Sequence, residues 1–156
     1  MVFIKKNTGF LYPEEGNHLY ICRASILSVT ELLLLCSANQ VREKVGNDMM
    51  IGVSVHSVEE ALEAVKNGAD CLGAGSVFST STKANVSSLS KETLRDICNA
   101  VDIPVVAIGG INKTNIAELS GTGISGVALV SAIFAASDIE AECRMLRKAS
   151  EEMLGA

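Results

Sequence analysis

The sequence predicts an α/β fold built on a parallel sheet. Between residues 49 and 154, four short apolar runs alternate with segments that have the spacing of amphipathic helices. The apolar runs are continuous, without polar residues at alternate positions, which is typical of strands buried on both faces. Units of about 20 to 30 residues suit both a closed barrel and a doubly wound sheet, and the pattern alone leaves these two open.

The first unit carries the clearest start and stop signals. Residues 49–55 predict a buried strand. Ser57 then has the features of a helix N-cap, with Glu60 closing a capping box, and Gly68 ends the helix. A second strand is predicted at 69–75, before a loop rich in Ser and Thr.

The other units follow the same order. Ser90, Asn112 and Asp138 are the predicted N-caps of the three remaining helices. The predicted elements are a helix at 90–100, a strand at 105–108, a helix at 114–119, a strand at 126–130 and a helix from 139 to about 154.

Residues 1–38 predict no regular fold and stay unassigned, as an aberrant or disordered segment, whereas residues 39–156 form the predicted domain. The apolar run 26–36 fits a strand or a helix equally well. Two explanations of the first segment remain: a frame-shifted or mis-started translation, or a shortened relative that completes its sheet with another chain. Uncovered sheet edges would favour a homo-oligomer or low solubility.

Composition excludes several function classes. The net charge of −5 argues against a broad nucleic-acid interface, which would need clustered Lys and Arg. The five cysteines form no CxxC pair, so no zinc site or disulfide framework is predicted, and a cytoplasmic location is expected. No apolar run approaches the ~20 residues of a membrane span, and no signal peptide is evident.

Candidate binding residues lie where the predicted strands end, because parallel sheets bind ligands at their carboxyl ends. Gly109 and Gly110 follow one strand, and Val130 and Ser131 follow the next. Small residues let backbone N–H groups approach an anion, so the sequence predicts a phosphate site here. The simpler interpretation is that the glycines only make a tight turn.

Three further groups lie near the other two strand ends. Thr80, Thr82 and Lys83 offer two hydroxyls and an ammonium to a diphosphate, although Ser/Thr-rich loops are often only loops. His56 could shuttle a proton or be structural, and Ser54 lies beside it. There is no complete GxGxxG motif, so a dinucleotide site is not predicted.

Five motifs in order resemble the thiamine-phosphate synthase family, from about residue 40 to the C-terminus. They are Gly52-Val53-Ser54-Val55-His56-Ser57-Val58-Glu59-Glu60-Ala61, Gly68-Ala69-Asp70, Ser79-Thr80-Ser81-Thr82-Lys83, Pro104-Val105-Val106-Ala107-Ile108-Gly109-Gly110-Ile111 and Val130-Ser131-Ala132-Ile133. The resemblance implies a (β/α)₈ barrel, of which this chain carries the last four units. It also implies a magnesium-dependent transferase that joins hydroxymethylpyrimidine diphosphate to thiazole phosphate and releases pyrophosphate in thiamine biosynthesis.

The resemblance assigns roles to individual residues. Thr80, Thr82 and Lys83 match the loop that contacts the diphosphate and the thiazole, and Ser54 matches a diphosphate-contacting serine. The thiazole-phosphate site of the family matches Gly110, Val130 and Ser131, with Gly109 beside them. Lys83, Ser54 and His56 are the candidate catalytic residues, and phosphorylated small molecules are the expected partners.

The chain also departs from the family pattern. The family's diphosphate motif and magnesium-binding Asp residues belong to its first half, and no metal ligand is predicted here. Gln40, Arg42 and Lys44 spell part of that motif, but we interpret them as a helix that matches by chance. We therefore expect low turnover from this chain alone. The alternatives are a thiazole tautomerase using His56 and a non-catalytic phosphate-binding half-barrel.

Overall fold

The computed structural model describes residues 2–6, 18–21, 38–78 and 88–155. From residue 49 onward, each strand is followed by a helix, as the apolar pattern predicts. The strands are β1 (Val2–Lys6), β2 (His18–Ile21), β3 (Met49–Val55), β4 (Cys71–Gly75), β5 (Val105–Ile108) and β6 (Gly126–Leu129). The helices are α1 (Ala38–Val45), α2 (Val58–Lys66), α3 (Lys91–Ala100), α4 (Ser131–Phe134) and α5 (Ile139–Leu154), with a 3₁₀ helix at Ile116–Leu119.

The six strands form one sheet in the order β1-β3-β4-β5-β6-β2. Strands β3, β4, β5 and β6 pair in parallel with one another, so the predicted parallel sheet is confirmed. β2 adds a parallel strand beside β6, and β1 pairs antiparallel with β3. Both of these strands lie within the segment that the sequence left unassigned. The apolar run 26–36 lies outside the described residues.

The core lies between the sheet and its helices. One register row across the sheet consists of Val55, Ala74, Ala107 and Val127, and each of these side chains is fully buried. Leu94 and Ile97 of α3 and Leu146 of α5 belong to the same hydrophobic cluster. Removal of this apolar surface from water is the main stabilising contribution to such a domain.

Side-chain caps set the helix starts as predicted. Ser57, Ser90 and Asp138 each accept a hydrogen bond from the backbone N–H three residues later, at 3.2, 3.1 and 3.0 Å. Each bond satisfies one of the donors that a helix leaves unpaired in its first turn. Gly68, with φ +84°, follows α2 as the predicted terminating glycine.

The helix predicted at 114–119 forms only in part, as a 3₁₀ helix over Ile116–Leu119, and its N-cap is Asn115 and not the predicted Asn112. Asn112 Oδ1 accepts from the N–H of Thr114, and Asn115 Oδ1 accepts from the N–H of Asn112. These side chains compete with the helical backbone bonds, as Asn commonly does. The turn is short and ends at Gly121, which leaves no room for an α-helix to develop.

Arg42 joins α1 to the amino end of the sheet. Its guanidinium donates to the carbonyls of Gly46 and Met49 and pairs with Asp70. Asp70 also accepts from the N–H of Ile51 at 2.7 Å. Arg42 is thus used structurally at the sheet end opposite to the strand carboxyl ends, which supports the interpretation of 40–44 as a helix that matches the diphosphate motif by chance.

Among the described residues, no helix is long and apolar enough to cross a membrane.

Candidate functional site

The carboxyl ends of the parallel strands bring several predicted site residues to one edge of the sheet. Gly75 of β4 pairs in register with Ile108 of β5, and Ile108 pairs with Ala128 of β6. Gly109 comes one residue and Val130 two residues beyond this row, and His56 directly follows Val55, the register partner of Ala74. The topology therefore places the ends of four separate sequence segments side by side, where parallel α/β proteins bind their ligands.

The Gly109–Gly110 pair makes a turn that only glycine adopts easily. Their φ angles are +100° and +68°, in the region that L side chains rarely occupy. The segment after β4 crosses directly over the pair, since Phe78 N–H donates to the carbonyl of Gly109 at 3.2 Å. A Cβ on Gly110 would stand 2.6 Å from the carbonyl oxygen of Phe78. Both the backbone conformation and the close approach require glycine here.

Two asparagine side chains donate hydrogen bonds to the carbonyl of Gly110. Asn115 Nδ2 donates to the Gly110 carbonyl at 3.0 Å, and Asn112 Nδ2 donates to the same oxygen at 3.3 Å. The carbonyl is therefore occupied, whereas the N–H of Gly110 has no acceptor among the described residues. The peptide that carries this N–H is oriented through the Gly109 carbonyl, which accepts from the N–H of Phe78.

Helix α4 begins directly after β6 with unpaired donors. Val130 is its N-cap and makes no side-chain cap. The N–H groups of Ile133 and Phe134 donate to the Val130 carbonyl, and that of Ala135 donates to Ser131. The N–H groups of Ser131 and Ala132 precede these bonds and have no acceptor in the described part of the chain. Ser131 is exposed and Ala132 is partly buried.

A shallow groove of about 340 Å³ joins the segment after β5 to the start of α4. Its lining includes Lys113, Ser131 and Ala132, together with the acidic Asp138 and Glu142. Lys113 Nζ lies 3.5 Å from Glu142 Oε2 and is half exposed. Lys113 is not among the residues that the sequence predicts for the site; the available signal is its position three residues after Gly110.

Ser54 lies on the sheet face opposite to the buried Val55. It is half buried, and its register partner is Gly73. The same row continues through Val106 to Gly126, so glycines flank much of this face. Ser54 has no hydrogen-bond partner among the described residues, which leaves its hydroxyl available.

His56 is held by Glu60 of α2. Glu60 Oε2 accepts a hydrogen bond from the backbone N–H of His56 at 2.7 Å and lies 3.3 Å from its Nδ1. The predicted capping box is therefore only half formed, because Glu60 reaches His56 instead of the N–H of Ser57. Both side chains are about half exposed, at 55% for His56 and 52% for Glu60.

Cys71 does not provide a reactive thiol. It opens β4 at the amino end of the strand, away from the site. Burial raises the pKa of the Cys71 thiol to about 11, with Asp70 adding to the effect. At neutral pH it is therefore a protonated, weakly reactive group.

The loop residues Thr80, Thr82 and Lys83 lie outside the described residues, as does the rest of 79–87. Their assignment remains a prediction. Within the described ranges, no group of three or more His, Cys, Asp or Glu side chains could hold a metal ion.

Residues 35–133 match the family model described as thiamine monophosphate synthase. The thiamine-phosphate synthase of Pyrococcus abyssi is 52% identical over 116 residues, which is 74% of this chain and 56% of that protein. The Clostridium tetani thiamine-phosphate synthase is 47% identical over 109 residues, or 70% of this chain and 52% of that one. The chain thus spans about half the length of the curated relatives it matches.

Solved structures give the same picture. The thiamine phosphate pyrophosphorylase from Pyrococcus furiosus superimposes with a TM-score of 0.68 at 49% identity, covering 77% of this chain and 57% of that one. A structure titled "Native KDPGal structure" has a TM-score of 0.60 at 22% identity, over 78% of this chain and 57% of that one, and shows the fold alone. The fold is the α/β architecture of the barrel family, represented by four βα units and a preceding segment.

Proposed function

Because this chain belongs to the thiamine monophosphate synthase family, we propose that it binds thiazole phosphate beyond the carboxyl ends of β5 and β6, beside the start of α4. In the proposed reaction, thiazole phosphate is coupled to hydroxymethylpyrimidine diphosphate, and pyrophosphate is released. The observation that carries the proposal is that two neighbouring parallel strands, β5 and β6, are each followed by backbone N–H groups without an acceptor among the described residues. The N–H of Gly110 follows β5, and those of Ser131 and Ala132 begin α4 directly after β6.

Backbone donors at this position suit a phosphate for physical reasons. Each N–H is rigidly placed, and the first N–H groups of a helix carry a partial positive charge. Barrel enzymes often use the loops after their last two strands and a short extra helix in this way. Lys113 lines the adjoining groove and brings an ammonium group to it, which pairs there with Glu142 at 3.5 Å. Val130 precedes the donors and exposes 51% of its surface, which offers an apolar contact to the thiazole ring.

The coupling needs charge compensation and positioning more than a strong base. The bond between the pyrimidine methylene carbon and the diphosphate oxygen breaks, and the electron pair leaves with pyrophosphate. The lone pair of the thiazole nitrogen then forms the new carbon–nitrogen bond. We assign the hydroxyl of Ser54 and the side chains of Thr80, Thr82 and Lys83 to the departing diphosphate. Hydroxyl donors and an ammonium stabilise the negative charge that develops there.

Magnesium is expected from the family, yet the residues described in 38–78 and 88–155 offer no fitting ligand set. A cytoplasmic location, phosphorylated small-molecule partners and pairing with a second copy of the chain all remain predictions.

A charge substitution at the start of α4 tests the phosphate site. Ser131→Glu places a carboxylate at an exposed helix N-terminus, where it supports the helix but repels a bound phosphate. We expect repulsion of about 1–2 kcal/mol, or roughly tenfold weaker binding of thiazole phosphate by isothermal titration calorimetry. Ser131→Gln is the neutral control of the same size and should bind as the parent does.

Two results would overturn the assignment. Thiazole phosphate could fail to bind the folded parent protein, or Ser131→Glu and Ser131→Gln could bind it equally well. Unphosphorylated thiazole alcohol serves as the ligand control and should bind far more weakly. The coupling itself is measured as pyrophosphate release when both substrates are present.

A further inference from the structure

We propose that Glu60 is a positioning residue that holds the His56 imidazole as its Nδ1–H tautomer, with Nε2 left as a hydrogen-bond acceptor beyond the end of β3. The relevance of this acceptor to the coupling reaction rests on the proposed function. The tautomer itself does not, since it is a property of the ligand-free protein.

One carboxylate oxygen makes both contacts. Glu60 Oε2 accepts from the backbone N–H of His56 at 2.7 Å and lies 3.3 Å from Nδ1 of the same residue. An ionised carboxylate can only accept hydrogen bonds, so the Nδ1 facing it must carry the proton. The hydrogen bond at one ring nitrogen thereby decides the state of the other.

The carboxylate itself is held in place at the start of α2. The backbone N–H of Glu60 donates to Ser57 Oγ at 3.2 Å, which anchors the first turn of the helix. A negative side chain is also favourable at a helix N-terminus. In an ordinary capping box the glutamate would reach back to Ser57 N–H. Here it reaches one residue further, and this shift brings its oxygen beside the imidazole.

The His56 ring lies where its Nε2 can contact a bound ligand. His56 directly follows β3 and is 55% exposed, so its ring is accessible to a ligand. The turn at Gly109–Gly110 follows β5 at the same edge of the parallel sheet. A neutral ring with Nε2 unprotonated accepts a hydrogen bond from an amino or hydroxyl group of a bound ligand.

Nitrogen-15 NMR of the imidazole rings in the ligand-free protein tests the proposal. The chain contains two histidines, and a His18→Gln variant identifies the signals of His56. In the neutral ring we expect a pyrrole-like Nδ1 and a pyridine-like Nε2. In Glu60→Ala the assignment should reverse toward the Nε2–H form that free histidine favours. Glu63→Ala removes an exposed carboxylate from the same helix and should leave the His56 spectrum unchanged.

The measurement separates positioning from simple helix capping. Circular dichroism first establishes that Glu60→Ala is folded, so a loss of α2 is recognised directly. A folded Glu60→Ala protein that keeps the Nδ1–H ring would overturn the proposal, as would a parent protein with the Nε2–H ring. Neither result bears on thiazole phosphate binding at Gly110 and Ser131, so failure here is distinct from failure of the proposed function.

Discussion

Alanine substitutions at two glycines separate backbone conformation from close packing at the proposed site. Gly110 and Gly121 have similar φ angles, +68° and +73°. A Cβ at Gly121 would meet nothing within 4 Å, whereas one at Gly110 would stand 2.6 Å from the Phe78 carbonyl oxygen and 2.8 Å from its Cβ. Left-handed backbone costs a non-glycine residue about 1–2 kcal/mol. Displacement of the Phe78 segment adds about 1–3 kcal/mol at Gly110 only.

Thermal unfolding followed by circular dichroism measures both costs. For a chain of this size, a loss of 1 kcal/mol lowers Tm by about 2–4 °C. Gly121→Ala should therefore lower Tm by ~2–8 °C, and Gly110→Ala by a further ~2–12 °C. A saturating ligand, at about 100 times its Kd, stabilises by ~2.7 kcal/mol. We expect thiazole phosphate to retain this effect in Gly121→Ala and to lose most of it in Gly110→Ala.

The two variants could instead give equal unfolding temperatures and equal ligand-induced shifts. That result would refute the reasoning, because it would mean that Gly110 is needed only for a tight turn.

Two further predictions concern stability. Asp70→Ala removes the hydrogen-bond partner of Arg42 and of the Ile51 N–H, so we expect the free energy of unfolding in urea to fall by about 1–2 kcal/mol. Asp96→Ala, at an exposed position, is the control. Equal effects of the two substitutions would contradict the role of Asp70. Burial raises the pKa of the Cys71 thiol from its ordinary value of 9.0 to about 11 in the folded protein. The contribution of Cys71 to the free energy of unfolding is therefore fully present below pH 9, and it is lost between pH 9 and 11 as the thiol ionises in the unfolded chain. Cys71→Ala should show a smaller decline over that range, and an unchanged decline would contradict it.

Local signals in the sequence predicted most of the fold. The caps at Ser57, Ser90 and Asp138 were predictable because each needs only one side chain and a neighbouring N–H. Only the last four residues of the helix predicted at 114–119 are helical, because the Asn115 side chain accepts from the Asn112 N–H and donates to the Gly110 carbonyl. That network depends on where β5 ends in space, which residue order alone does not show.

The candidate site was predictable only where backbone chemistry marks the sequence. Gly109 and Gly110 stand out as a pair, and the structure gives each of them a positive φ. The contact between Glu60 and His56 was missed because a capping box directs attention to Ser57. Lys113 was missed because the groove that it lines together with Ser131 depends on the packing of two separate βα units.

Backbone amide NMR during a titration with thiazole phosphate tests the central claim most directly. We predict that the amide signals of Gly110, Ser131 and Ala132 shift together and saturably, while that of Gly121 does not. Unphosphorylated thiazole alcohol should leave the three signals nearly unchanged. Saturable binding that moves other amides and spares these three would contradict the account.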